Sequence, residues 1–333
     1  MASKGSSLWH DAWMRLRKNN MATAALFFVI LVIASCFLLP FIGQLTAPND
    51  PNLSDTQNQT IQYNNHWLKP QTYQNLDNKF APPSGQHLLG TDHVGRDLLA
   101  RLLYGGQISI LVGLVSTSIA GFIGIIYGTL SGYIGGRTDI IMMRIVDILY
   151  GLPFLVIVIL ISLLFSAYST EASEFLIKKW QWNSEFVLKY ANLFPLFIAI
   201  GMIGWLTIAR ITRAQALSIK NLEFIEAARS LGLSHFTIML RHIMPNMLGP
   251  IIIYATLTIP GFILTESSLS YLGLGVQSPN SSWGILLQEG SNYMETQPRL
   301  LIIPSIVFSL TLLALNFLGD GLRDALDPKA AKD

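Results

Sequence analysis

Apolar residues fall into blocks along this chain, and six blocks carry no ionisable side chain: 21–39, 108–130, 148–165, 191–209, 247–265 and 300–318. A bilayer core is crossed by about 20 apolar residues of helix. Backbone in lipid must satisfy its own hydrogen bonds, so each block predicts a transmembrane helix. The third block is short, and Thr138 and Asp139 ahead of it extend its predicted helix backward. Residues 43–106 separate the first helix from the rest. Their early part is rich in Asn, Gln, Pro and Thr and lacks periodicity, and a short helix is predicted near the end, at 96–103. The chain thus divides into a tail with the first helix (1–42), an external segment (43–106), a five-helix core (107–320) and a second tail (321–333). No internal repeat is evident.

Composition supports a lipid environment. Hydrophobic residues make up 51% of the chain and charged residues 13%, against roughly 25% charged in soluble domains. The net charge of +2 matters less than its placement. With both termini inside, the inner segments hold 14 of the 22 Lys and Arg, and four of the outer eight lie in the long first loop. That distribution predicts an N-in, C-in topology. Ile33-Ala34-Ser35-Cys36 looks like a lipoprotein cleavage box. The apolar run continues through Phe37 to Leu39, so an uncleaved anchor is expected. The lone Cys36 leaves no partner for an intramolecular disulfide, and no run of like charge suggests a nucleic-acid arm.

Gly124, Gly128 and Gly132 form two successive small-xxx-small steps on the second span, one turn after Gly121. They suit close helix approach, within this chain or against another subunit. Pro250 and Pro260 in the fifth span invite kinks. The most patterned polar stretch is the loop 214–246. A short helix over 221–231 is stopped by Gly232, and Ser234 can cap a second helix. Phe236, Met239, Leu240, Ile243 and Met244 recur at helical spacing as one apolar face, and Pro245 ends the helix before the next span. Such helices can lie in the headgroup layer, or can hold an apolar face to the spans and offer a polar one to a soluble partner.

The string Glu226-Ala227-Ala228-Arg229-Ser230-Leu231-Gly232, followed by Arg241-His242-Ile243-Met244-Pro245-Asn246, closely resembles the EAA loop of ABC importer permeases. Further likenesses follow in order. Gly90-Thr91-Asp92, Gly95-Arg96-Asp97 and Leu103-Tyr104-Gly105-Gly106 are similar to the C-type dipeptide and oligopeptide permeases, as are Asp139, Arg144, Asp147 and Pro153. So are the run from Leu269 to Gly275 and the run from Asn316 to Asp324 with Asp327 and Pro328. Residues 43–85 match none of these motifs. The resemblance implies an all-α integral membrane protein of the type I ABC importer permease fold in a bacterial inner membrane, with cytoplasmic EAA coupling helices. In it Glu226, Ala227, Ala228, Arg229, Leu231, Gly232 and Pro245 would meet an ATPase. It implies as partners a related second permease, two ATPase subunits and an extracytoplasmic binding protein. The cargo would be a peptide, or in related systems glutathione or a nickel complex.

No Gly-Lys dipeptide occurs, so a phosphate-cradling loop of the usual kind is missing and ATP and Mg are expected on partner chains, with no cofactor or enzyme chemistry here. Asp92 and Asp97 are better read as turn and helix caps, and His93 as a loop residue, than as metal ligands. Arg144 and Asp147, three apart, suit a local ion pair, and with Asp139, Asp320 and Arg323 they could brace an inner gate. Glu266 closes the fifth span, as a bond to a neighbouring helix or as a border of the outer mouth. A proton-driven transporter is the competing class. It would need ionisable groups at mid-bilayer, and the six blocks have none.

Overall fold

The computed structural model describes residues 8–46, 68, 71, 73–180, 187, 191, 193–277 and 280–326. Most of the external segment's early part, and Asp327 and Pro328, lie outside them. Among the described residues six helices are long and apolar enough to cross a membrane. In chain order the helices are α1 (Leu8–Lys18), α2 (Asn20–Thr46), α3 (Leu98–Ile134), α4 (Gly136–Tyr150), α5 (Phe154–Trp180) and α6 (Phe194–Ile219). Then come α7 (Glu223–Ser230), α8 (His235–Ile238), a π turn (Met239–Ile243), α9 (Met244–Tyr271), α10 (Trp283–Asn292) and α11 (Arg299–Leu326). The spans are α2, α3, α5, α6, α8 through α9, and α11.

Three boundaries differ from the sequence expectation. The helix expected at 96–103 is the first part of α3, capped by Asp97, whose Oδ1 accepts from Ala100 N at 2.9 Å. The third span does not extend back to Thr138. The chain breaks at Gly151, Leu152 and Pro153, leaving α4 as a separate helix and α5 as the span; proline ends the preceding helix by excluding its predecessor from the helical region. Pro245 does not stop a helix either. It sits at the start of α9, directly after the π turn, which carries the helical path from α8 into α9.

The glycine face of α3 packs against α6. A Cβ on Gly128 would lie 2.3 Å from the Ala209 carbonyl oxygen, and one on Gly132 would lie 2.6 Å from that of Arg213. One on Gly124 would meet Ile208 and the Trp205 carbonyl, so the three glycines let two backbones touch within this chain. Around this pair a core of Ile108, Val112, Ile200, Ile208 and Phe262 joins α3, α6 and α9. A second core, centred on Trp283, joins α10 to α2, α3 and α11. At the end of the bundle where the first and last described residues, Leu8 and Leu326, lie (the termini end), α1 bends into α2 at Asn19, whose Oδ1 accepts from Met21 N and Ala22 N at 3.1 Å. Ala12, Leu16 and Ala22 there pack on Ala325 of α11.

Candidate coupling site

At the termini end, α7 and α8 lie across the ends of α3, α6 and α9. Gly232 between them has φ +76°, the left-handed geometry that allows the chain to reverse with least strain. Ser234 caps α8, its Oγ accepting from Thr237 N at 3.2 Å. Ile225 and Ala228 point from α7 into a cluster with Tyr133, Ala216, Ile219, Ile238, Ile243 and Met247. The buried stripe of the second segment differs from the expected one. Ile238, Ile243 and Met247 face inward, while Phe236 is 65% exposed and Leu240 is exposed with it. The cause is the π turn: one extra residue per turn puts Ile238 and Ile243, five apart, on one face.

What α7 offers outward is Glu226, Ala227, Arg229 and Leu231, the last 82% exposed. Ala228, expected among the residues that would meet an ATPase, is turned into the chain's own core. Pro245 is exposed at the start of α9. Tyr133 at the end of α3 was not singled out by sequence, yet its hydroxyl lies 2.8 Å from His235 Nδ1, and the Arg229 guanidinium stands 5.7 Å from its ring. Nothing in the local sequence links α3 to a loop a hundred residues on.

The charges near this end pair differently from the sequence reading. Asp147 is held by Arg210 of α6 at 2.7 Å rather than by Arg144, which is exposed. Helix spacing makes an Arg144–Asp147 pair possible, but α4 lies against α6, and Arg210 reaches across. Asp139 is chelated by Arg213, with Arg213 Nη2 donating to Oδ2 at 2.6 Å, and accepts from Ser131 at 2.6 Å. The Arg213 hydrogen bond, opposed by burial and aided by Ser131 and nearby positive charge, holds the Asp139 carboxyl below its usual pKa. Arg210 and Arg213 mark the end of the fourth apolar block, so their need for acid partners was readable; the identity of those partners was not. Asp320 and Arg323 are both exposed on the last turns of α11.

At the opposite end, Glu266 is fully buried. It accepts from Ser109 of α3 at 2.9 Å, from Ser270 at 2.7 Å and from Ser267 at 3.2 Å. Ser109 and Ser270 in turn accept backbone N–H groups of Trp283 and Val276 at 3.2 and 3.0 Å. Each of these two serines therefore spends its own proton on Glu266. The carboxylate is thus joined to α3, α9 and the start of α10, and not placed on an outer surface.

Nearby, Asp92 Oδ1 caps the turn before α3 by accepting from Val94 N and Arg96 N at 2.9 Å. Its Oδ2 meets Arg96 Nε at 2.7 Å and Arg101 at 2.8 Å, and Arg101 also pairs with Glu289 of α10. Asp97 is tied to His87 at 2.9 Å. Asp92, His93 and Glu289 come within 4.8 Å of one another, but two guanidiniums already lie on their carboxylates, an arrangement that opposes a cation.

Comparison with known proteins accounts for nearly all of this sequence. Residues 7–83 match the N-terminal TM domain of oligopeptide transport permease C, so most of the external segment left unmatched by motif falls inside a family description. The chain is 43% identical to the oligopeptide transport system permease protein OppC of Haemophilus influenzae, over 99% of this chain and 91% of that one. It is 39% identical to the dipeptide transport system permease protein DppC of Bacillus subtilis, over 97% and 86%. To the glutathione transport system permease protein GsiD of Escherichia coli it is 35% identical, over 96% and 90%. Residues 124–332, from the glycine face of α3 to the last tail, match the binding-protein-dependent transport system inner membrane component. With its six apolar helices, this chain is a multi-pass bacterial inner-membrane protein that belongs to that family.

Proposed function

We propose that the chain is one permease subunit of an ATP-driven importer of short peptides, with α7 as the lever that an ATPase grips from the cytoplasm. The observation that carries this reading is the division of α7. Ile225 and Ala228 fasten it to the ends of the spans, while Glu226, Arg229 and Leu231 are left exposed on the opposite side, Arg229 alone touching the core through the Tyr133 ring. A force applied to that surface is delivered to α3, α6 and α9 together.

The bias of Lys and Arg toward the termini end supports a cytoplasmic position for α7. ATP and Mg would be bound by two partner ATPases, a related second permease would complete the pathway, and a binding protein would deliver cargo outside. A peptide cargo is favoured over glutathione because the relatives named for oligopeptides and dipeptides share more of the sequence.

Glu226→Lys and Gly232→Pro are expected to abolish peptide uptake while the ATPases keep hydrolysing and the protein stays in the membrane. Proline cannot adopt the φ of +76° seen at Gly232, so the α7–α8 angle would be lost. Normal uptake by both variants at wild-type abundance refutes the lever.

A further inference from the structure

A groove of about 270 Å³ runs between α2 and α11, lined by Met21, Ala24, Phe28, Leu313 and Phe317 among others. Met21 and Phe28 are seven residues apart on α2, so the groove extends roughly 10 Å along the helix. Its upper edge adjoins α1. Lys18 is three residues from Met21, across the Asn19 corner, so their Cα atoms are at most about 11 Å apart.

Helix α1 has the character of an interfacial helix. Ala12 and Leu16 are buried on α11, while Trp13, Arg17 and Lys18 are exposed, with the Arg17 guanidinium 6.0 Å from the Trp13 ring. Indole and basic groups together sit best at the level of lipid headgroups. On the other rim, α11 ends with exposed Asp320 and Asp324 flanking Arg323. A negative headgroup would therefore be seated on the α1 side.

We infer that α1 and the α2–α11 groove form a binding site for an anionic phospholipid, with its phosphate on Arg17 and Lys18 and one acyl chain along Met21, Phe28 and Phe317. Charge complementarity at the rim selects an acidic lipid over a zwitterionic one, and the apolar groove selects a lipid over a soluble phosphate.

Native mass spectrometry of the full-length chain, released from micelles holding equal phosphatidylglycerol and phosphatidylcholine, tests the site. The wild type should retain phosphatidylglycerol preferentially. Replacing Arg17 and Lys18 by Gln should reduce that preference by roughly fivefold per cation. Ala24→Phe fills the groove from an exposed position, so the fold is kept and retention of the acidic lipid should fall. Equal retention of both lipids by the wild type overturns the proposal. So does an unchanged preference in the double variant, or undiminished retention in Ala24→Phe. Loss of the lipid when the chain is assembled with its partner subunits also overturns it, by showing that the groove is a subunit contact.

Discussion

Two buried acids at the end of the bundle remote from the termini show how one side chain can hold several segments. Asp92 sits among Arg96, Arg101 and two backbone N–H donors. Burial alone would raise its pKa, but the two guanidinium charges and the amides outweigh burial and hold the carboxyl below its ordinary value. A carboxyl depressed on folding stabilises the protein above its unfolded pKa, and that contribution fades as pH falls through the folded value. Asp92→Asn should therefore lower the melting temperature at neutral pH and flatten the loss of stability on acidification, read by thermal unfolding in detergent from neutral to acid pH. Glu266 holds its neighbours through three serine hydroxyls. Glu266→Ala leaves the hydroxyls of Ser109, Ser267 and Ser270 without their acceptor, at about 1–3 kcal/mol for each group left unsatisfied. Glu266→Gln, which keeps shape and one acceptor oxygen, should lose clearly less in the same assay. A Gln variant as unstable as Ala would show that charge, not acceptance, is what matters.

At the scale of elements, the packing of α3 on α6 depends on positions where a methyl group has no room. Gly128→Ala should cost about 1–3 kcal/mol by overpacking, because its Cβ meets backbone that has no rotamer to change. Gly121→Ala is the matched control: a Cβ there meets nothing within 4 Å, and alanine improves an α-helix by about 1 kcal/mol. Thermal unfolding of the two variants should move in opposite directions. The π turn sets the orientation of α7 and α8 about the axis of α9. Inserting an alanine after Leu240 would set Ile238 and Ile243 six apart, a spacing that neither a π turn nor an α-helix keeps on one face, and rotate the preceding segment by about 100°. The chain should then reach the membrane at normal abundance, checked by immunoblotting, yet fail to import peptide. The sequence showed that this loop holds two helices, where the first stops and what caps the second. It did not show the π turn, because periodicity assumes one helical pitch, and so it turned Phe236 and Leu240 inward. The break at Pro153 was also legible as a proline, yet apolar length alone joined the helices on either side of it.

For the whole molecule, the number of spans was readable because lipid leaves few options for a chain with long uncharged blocks. Pairings that cross the bundle were not. Arg213 with Asp139, Arg101 with Glu289, and Tyr133 with His235 join residues 74, 188 and 102 positions apart, and composition carries no trace of such distances. The ends of the molecule hold a further consequence. Ala12 and Leu16, among the earliest described residues, are covered by Ala325, and Gly321 leaves so little room that an added Cβ would sit 2.2 Å from Ala22. During synthesis α1 must therefore wait, uncovered, until α11 has left the ribosome and been inserted. A nascent chain cut short before the last turns of α11 would leave Ala12 and Leu16 without their cover.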